Sequence, residues 1–350
     1  MLLEAAIHEH LMPSLVEYNI LVDFLQKPLS STTLLSDEVP AVYSIATAPF
    51  SPIACVSCAD HTLYILHSQG STDNSIMARV TGHHRSPLFI TWHNYLPIVG
   101  SVDFSGVVMR SHIVNKTTET LHFGSLPLCL AFLSSPATPT LLLVANSGIF
   151  TWSSSSEATF VSDFPDTRNV RSAAISVLPN DDLFLATCHE SILHVYSWSF
   201  AIPGSEWNHI YTGFCNLLTF FPCVFSSSGT RLVYFDNQDS IVSVDLTLCN
   251  NVKPSTTFHF SSPLNGHNSI SGGSFIKMYP FANESIATAV LHLPPSISSP
   301  KGTSLLFVLD VVRNSVILKV EFVGEINCCQ LFGNGVLIVG FANGQLIKLS

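Results

Sequence analysis

The chain has 350 residues, of which 47% are hydrophobic and only 11% are charged, and its formal net charge is −10. Soluble proteins average about 25% charged residues, so this surface must be built largely from neutral polar side chains, or part of it must be covered by a partner. The 14 basic residues form no cluster. This argues against a nucleic-acid-binding protein, because such proteins concentrate Lys and Arg on one face.

The apolar segments are too short or too interrupted to predict a membrane span, which needs about 20 consecutive apolar residues. The longest candidate, LPLCLAFLSSPATPTLLLVA from Leu126, is broken by serines and prolines. Glu4 and Glu9 stand where a secretory signal would carry basic and apolar residues. We therefore expect no secretion signal and a cytoplasmic location, with the nucleus as the alternative.

Short apolar or alternating runs bounded by turn residues predict strands along nearly the whole chain. Residues 1–14 are treated as an N-terminal extension, and the first run is LVEYNILVDFL at residues 15–25. The clearest later runs, in chain order, are ACVSCA from Ala54, TLYILHS from Thr62, TLLLVA from Thr140, LFLATC from Leu183, SILHVYSW from Ser191, SIVSVDL from Ser240 and GVLIVGF from Gly335. Helical periodicity is nearly absent, which indicates an all-β fold.

The tight turns between these strands recur about every 43 residues at the start of the chain. The turns are centred on Asp60, Asp103, Asn146 and Glu190, near Asp239, within Pro294–Gly302 and on Asn343. A unit of about 40–45 residues with four short strands is typical of a propeller blade. The sequence therefore predicts one seven-bladed β-propeller over residues 15–350, with blades starting near residues 41, 82, 126, 170, 214, 266 and 324.

A propeller ring must be closed by joining its first and last blades. The last unit contains only three strand-like runs, INCCQLF, GVLIVGF and QLIKLS. We therefore predict that residues 15–25 supply the missing outer strand of the last blade. The stretch SSTTLLSDEVP from Ser30 would then link this strand to the first blade.

The segment from Gly82 to Ile113 resembles the WD-repeat family. The matching residues are the pair Gly82-His83, then Trp92, Ser101 and Asp103, whereas Ser111-His112 stands where the family has Trp-Asp. The repeat length typical of the family is found along nearly the whole chain, whereas its sequence motif is found only in this blade. The resemblance implies a buried polar network of His83, Ser101 and Asp103, with Asp60 as the equivalent turn residue of the first blade.

No sequence motif predicts a catalytic, cofactor or metal site. Cys55 and Cys58 resemble half of a zinc site, but no second Cys-x-x-Cys pair follows. Side chains three apart in a strand point to opposite faces, so these two thiols would not converge on one ion. The Gly-x-Ser-x-Gly elbow and the phosphate-binding loop are both missing. We predict a protein without catalytic residues, cofactor or metal.

Three aromatic residues around the connection after the fourth blade are candidate partner contacts: Trp198, Trp207 and Tyr211. Trp and Tyr are favoured interface anchors, although a loop that packs on its own ring is the simpler explanation for them.

The prediction for the whole chain is a non-catalytic scaffold or adaptor in a multiprotein complex, which binds one or more proteins that the sequence does not identify. The first alternative is a propeller-type hydrolase similar to diphthine methylesterase, because a few WD-repeat relatives are hydrolases. The second is a structural subunit of a vesicle coat, a nuclear pore or a ciliary transport complex.

Overall fold

A computed structural model describes residues 31–35, 41–49, 51–67, 76–125, 127–135, 138–154, 157–165, 170–200, 202, 205–215, 223–226, 228–236, 240–247, 254–259, 275–279, 285–293, 301–331 and 336–349. The regular secondary structure in these ranges consists of β-strands. We find among them no apolar helix of the length needed to cross a bilayer.

The strands form seven four-stranded antiparallel sheets, and these sheets are the blades of a β-propeller. The predicted fold class is therefore confirmed. Strand β1 (Ser31–Leu35) belongs to the last blade. The strands of blades 1 to 3 are, in order, β2 (Val42–Thr47), β3 (Ile53–Cys58), β4 (Leu63–His67), β5 (Ile76–Val80); β6 (Pro87–Trp92), β7 (Ile98–Asp103), β8 (Val107–His112), β9 (Thr117–His122); β10 (Pro127–Phe132), β11 (Leu141–Ala145), β12 (Gly148–Trp152) and β13 (Thr159–Ser162).

The remaining blades follow the same order of strands. Blades 4 to 7 consist of β14 (Ser172–Val177), β15 (Asp182–His189), β16 (Ile192–Ser199), β17 (Asn208–Phe214); β18 (Cys223–Phe225), β19 (Arg231–Phe235), β20 (Ser240–Asp245), β21 (Pro254–His259); β22 (Phe275–Tyr279), β23 (Ile286–Leu293), β24 (Thr303–Asp310), β25 (Ser315–Val323); and β26 (Ile326–Leu331), β27 (Leu337–Phe341), β28 (Leu346–Leu349) with β1. The first strand of each blade packs against the first strands of both neighbouring blades. These first strands therefore surround the axis of a closed ring.

The ring is closed by an N-terminal strand, but the segment differs from the predicted one. Strand β1 pairs antiparallel with β28, with Ser31 opposite Leu349 and Thr33 opposite Ile347. Residues 15–25, which were predicted to take this position, lie outside the described residues, and the observed strand falls in the predicted linker. An outer strand needs one buried face only, and β1 meets that need by burying Leu34, which is 3% exposed.

The hydrophobic core lies in layers between neighbouring blades. One layer joins blades 1 and 2 through residues such as Cys55, Leu63 and Val99, and similar layers follow around the ring. Blade 7 packs against blade 6 on one side and blade 1 on the other, and the buried residues of these three blades form one continuous cluster. A polar contact reinforces the closure there, because Asn327 Nδ2 donates to the carbonyl of Val42 at 2.9 Å.

The predicted tight turns fall between the second and third strands of the blades. Strands β3 and β4 flank Asp60, and the corresponding strands of other blades flank Asp103, Asn146, Glu190 and Asn343. The turns predicted near Asp239 and within Pro294–Gly302 also fall between second and third strands, although Asp239 and residues 294–300 lie outside the described residues.

The observed first strands differ most from the predicted blade starts in blades 6 and 5. In blade 6, β22 begins at Phe275, whereas the predicted start is residue 266, and the difference in blade 5 is of the same size. Phe214, the predicted start, is the last residue of β17 in blade 4, and blade 5 begins with β18 at Cys223. The reason is that an interval between turns does not define the length of the connection between blades. The predicted starts at 126 and 266 lie outside the described residues.

The topology defines two faces of the ring. The connections between blades and the turns between second and third strands lie on one face, here called the upper face. The other two sets of turns within the blades lie on the opposite, lower face. The position of each turn residue along the chain therefore decides which face it occupies.

Candidate functional site

A buried polar site lies on the upper face of blade 2, where the structure brings together His83, Ser101 and Asp103. His83 Nε2 lies 2.8 Å from Ser101 Oγ, and His83 Nδ1 faces Asp103 Oδ2 at 3.4 Å. All three side chains are buried. Gly82 precedes this site with a φ of +130°, and a Cβ there would lie 3.0 Å from Met109 Cε. Glycine is thus favoured at position 82, because residues with a side chain rarely adopt this backbone conformation.

Asp103 holds the surrounding backbone in place. One carboxylate oxygen accepts from the amides of His84 and Arg85 at 3.0 and 3.1 Å. The other accepts from the amide and hydroxyl of Ser105 and from the amide of Val107. Burial alone would raise the pKa of Asp103, but the hydrogen bonds from Ser105, Arg85 and Val107 outweigh it and hold that pKa below its usual value. The carboxylate therefore stays ionised and fixes both the connection before the blade and the turn within it.

The surroundings of His83 favour the neutral form of its ring. Burial lowers the pKa of His83, and the nearby Asp103 carboxylate offsets this only in part. The Asp103 carboxylate facing Nδ1 at 3.4 Å favours the tautomer with the ring proton on that nitrogen, in which the Ser101 hydroxyl would donate to Nε2. The order of contacts is that of a Ser-His-Asp hydrolase triad. However, Ser101 is 0% exposed, whereas the nucleophile of a hydrolase has to be open to its substrate.

Asp60 occupies the equivalent turn of blade 1 but does not share this network. Its carboxylate accepts from the amide of Thr62 at 3.1 Å and from the phenol of Tyr64 at 2.7 Å. Burial and the bond to Asp60 raise the pKa of Tyr64 to about 12. Asp60 therefore braces its own hairpin rather than the connection between blades.

The two cysteines of the apparent half zinc site face different layers of the core. Cys55 packs between blades 1 and 2, whereas Cys58 packs between blades 7 and 1. Burial raises the pKa of Cys58 to about 12, with a further contribution from the charge of Asp60, and burial also raises the pKa of Cys55. Among the described residues, no group of three or more His, Cys, Asp or Glu side chains is arranged to hold a metal ion.

The predicted partner contacts Trp198 and Trp207 stack on each other at the junction of blades 3 and 4. Their ring centroids lie 5.3 Å apart at an interplanar angle of 24°. The indole N–H of Trp198 donates to the carbonyl of Ser205, and that of Trp207 donates to the hydroxyl of Ser162. Both rings are half-buried and pack against the layer between these blades. This packing accounts for both residues, and their role in partner binding stays a prediction.

Tyr211, the third predicted contact, lies on the opposite side of blade 4. Its hydroxyl lies 2.8 Å from that of Tyr234 in blade 5. Its ring is half-buried and packs against the layer between blades 4 and 5. Its role in partner binding likewise stays a prediction.

One buried cation was missed by the sequence analysis. Arg110, in the third strand of blade 2, donates to the carbonyl of Pro139 at 2.5 Å and pairs with Glu119. Its guanidinium also lies 5.0 Å from the ring centre of Trp152 in blade 3. A single Arg inside the apolar run VVMRSH was the only available signal, and it does not indicate which blade the side chain contacts.

A second missed feature links the turns on the lower face. His93 Nε2 lies 3.3 Å from the carbonyl oxygen of Ser135 in blade 3, while the amides of Tyr95 and Leu96 donate to His93 Nδ1. Ser134, beside Ser135, in turn donates its amide to the carboxylate of blade 4 residue Asp181. Three successive blades are thus joined by polar contacts between their first turns.

Large apolar side chains are exposed on both faces. On the upper face, Phe104 in the turn of blade 2 is 58% exposed and Tyr43 at the start of blade 1 is 42% exposed. On the lower face, Val114 in a turn of blade 2 is 71% exposed. Exposed aromatic residues of this kind are candidates for contact with another protein.

Comparison with known proteins bears on the fold alone. A solved structure described as the Cps50 (Swd1) β-propeller domain of Myceliophteria thermophila superimposes with a TM-score of 0.67, over 92% of this chain and 99% of that one, at 11% sequence identity. The chain has the fold of a β-propeller domain. No protein-family model matches the sequence, and no curated protein matches it. In all, 1425 solved chains match, so this propeller fold is widely shared and does not select a role.

Proposed function

We propose that this propeller is a divergent WD-repeat protein that serves as a non-catalytic scaffold and binds another protein through its upper face. The pair Gly82-His83 together with Ser101 and Asp103 supports the relationship to WD-repeat proteins. The observation that carries the proposed role is the position of Phe104. Its ring is exposed directly beside Asp103, the residue that fixes the local backbone.

A rigid surface favours binding because little conformational entropy is lost on association. Asp103 holds the amides of His84, Arg85 and Ser105, so the exposed Arg85 and Phe104 extend from a fixed backbone. Arg and aromatic side chains are enriched at protein interfaces. Tyr43 adds a second exposed ring on the same face.

The partners we propose are proteins, and the working location is the cytoplasm, with the nucleus as the alternative. The few and scattered basic residues disfavour nucleic acid as a partner. The low content of charged residues is consistent with a surface that is partly covered within a multiprotein complex. The burial of Ser101 supports a role without catalysis.

The proposal is tested by affinity purification and mass spectrometry with two matched variants, Phe104→Glu and Val114→Glu. Each places one carboxylate at an exposed apolar turn position of blade 2, on the upper and lower faces respectively. Loss of an interface hot spot typically weakens binding by about 2 kcal/mol or more. We expect a specific partner to be recovered with the wild type and with Val114→Glu, and to be lost with Phe104→Glu. Equal recovery with both variants, or no specific partner with the wild type, would reject the proposal.

A further inference from the structure

Two histidines meet on the outer strands of blade 4, in a contact that the sequence does not indicate. His194 Nδ1, on β16, lies 3.3 Å from His209 Nε2, on β17. The hydroxyl oxygen of Thr212 lies 3.3 Å from the first nitrogen and 2.9 Å from the second. His209 and Thr212 are exposed and His194 is half-buried. Two imidazole nitrogens and a hydroxyl oxygen therefore form a small triangle, and two of its three residues are exposed.

A β-bulge creates this arrangement. His194 lies opposite Thr212, and Val195 lies opposite Tyr211, but the next residue, Tyr196, lies opposite His209. One residue of β17 is therefore skipped, and His209 turns to the same side of the sheet as Thr212. Without the bulge, side chains three residues apart would point to opposite faces.

Neighbouring rings limit the rotation of both imidazoles. The Tyr196 ring lies 5.4 Å from that of His209 at 72° and 6.1 Å from that of His194. Tyr196 also contacts the edge of Trp207, which is part of the stacked pair already described. Both imidazoles thus pack against the Tyr196 ring, while the His209 side chain is exposed to solvent.

The spacing of the donors matches the coordination shell of a metal ion. Zinc binds histidine nitrogen at about 2.0–2.1 Å in tetrahedral geometry, which places two ligand atoms about 3.3 Å apart. Imidazole is also a preferred ligand of copper and nickel. We propose that His194 and His209 chelate one divalent transition-metal ion of the zinc class, with the Thr212 hydroxyl beside it and solvent in the remaining positions.

Metal binding replaces the hydrogen bond between the two rings. In the tautomer that binds metal, each ring carries its proton on the nitrogen that faces away from its partner, so both facing nitrogens present lone pairs and a change of tautomer releases no proton. Two protein ligands leave open positions, unlike a closed structural zinc site. The site lies apart from the upper-face contact proposed above and does not depend on it.

The experiment uses the full chain without a histidine tag and measures Zn²⁺ binding by isothermal titration calorimetry. The test variant is His209→Ala, because this ring is exposed and its loss leaves the core unchanged. The matched control is His122→Ala, which removes another exposed histidine that lies beside a second one, His84, with ring centroids 5.8 Å apart. We expect one equivalent of Zn²⁺ to bind the wild type and the control, and binding to His209→Ala to weaken by at least about tenfold.

Two results would overturn the inference: no saturable binding to the wild type, or equal binding to His209→Ala and the wild type. A circular dichroism melt checks that each variant is folded. If His209→Ala does not fold, electron paramagnetic resonance of the wild type with one equivalent of Cu²⁺ decides the question. Hyperfine coupling to two imidazole nitrogens that is retained in His122→Ala supports the site, and coupling to one or none, or its loss in His122→Ala, refutes it.

Discussion

Replacing the buried Asp103 with alanine should clearly destabilise the propeller. The carboxylate accepts five hydrogen bonds, and its loss would free the connection before blade 2 and the turn within it at the same time. The amide groups that donate to Asp103 would not all be equally affected by its removal. His84, Arg85 and Ser105 are exposed and their amides can bind water, whereas Val107 is 2% exposed.

The expected magnitude follows from that difference. A hydrogen bond to a charged group contributes about 1.5–3 kcal/mol, and a buried donor left without a partner costs about 1–3 kcal/mol. Counting mainly the buried amide of Val107 and the lost contact with His83, we expect Asp103→Ala to lower the free energy of unfolding by about 3 kcal/mol. Asp103→Asn keeps one acceptor oxygen and should lower it by about 1–2 kcal/mol.

The effect should also depend on pH in a defined direction. Burial acts to raise the pKa of Asp103, but the hydrogen bonds to its carboxylate win and depress it. A depressed folded pKa gives stability that is present above the unfolded value of about 3.9 and is lost as the pH falls through the folded value. The contribution of the Asp103 carboxylate itself should therefore be fully present from pH 7 to pH 5 and shrink only at lower pH. Because the carboxylate also raises the pKa of His83, the difference between wild type and Asp103→Asn should first grow as the pH falls from 7 to 5 and then shrink below the unfolded pKa of Asp, about 3.9.

Urea unfolding followed by circular dichroism at pH 7, pH 5 and pH 3.5 measures these differences. Asp163→Ala is the control, because Asp163 is exposed, and its unfolding free energy should stay within about 0.5 kcal/mol of the wild type. If Asp103→Ala unfolds at the same urea concentration as Asp163→Ala, the network contributes nothing and the reasoning fails.

Three further outcomes are expected. Gly100→Ala places a Cβ 2.6 Å from Leu141 Cδ1, so overpacking should reduce stability by about 1–3 kcal/mol; an unchanged melting temperature would mean that the layer between blades 2 and 3 can relax. A fluorophosphonate probe should leave Ser101 unmodified on intact-mass analysis because that hydroxyl is buried, and modification at Ser101 would contradict the non-catalytic proposal. Burial lowers the pKa of His93, and the hydrogen bond to the Ser135 carbonyl offsets this only in part. The neutral ring therefore contributes fully to the free energy of unfolding above the unfolded pKa of about 6.5, and this contribution is lost as the pH falls toward the folded pKa. The drop in melting temperature from pH 7 to pH 5 should accordingly be smaller in His93→Gln than in the wild type, and an equal drop would show that this ring does not titrate with folding.

The blade pattern could be predicted from the sequence because its signals are local. A turn such as Asp60 or Asp103 and the apolar runs beside it depend on residues a few positions apart, and the same signals recur in each unit. The contact of His83 with Ser101 and Asp103 could also be inferred, because the resemblance to WD repeats covers that blade. The role of Asp60 could not be inferred in the same way, since its carboxylate bonds to Tyr64 within its own hairpin.

Contacts between strands and between blades were decided only by the tertiary structure. Several apolar segments are able to form an outer strand, and only the assembled ring selects Ser31–Leu35 to pair with the last blade. The stacking of Arg110 on Trp152 depends on how two blades are rotated against each other. The meeting of His194 and His209 depends on a single skipped residue in one strand pair. Local sequence determines that a strand forms, but its neighbours in space follow from packing and register, which no short stretch of the chain contains.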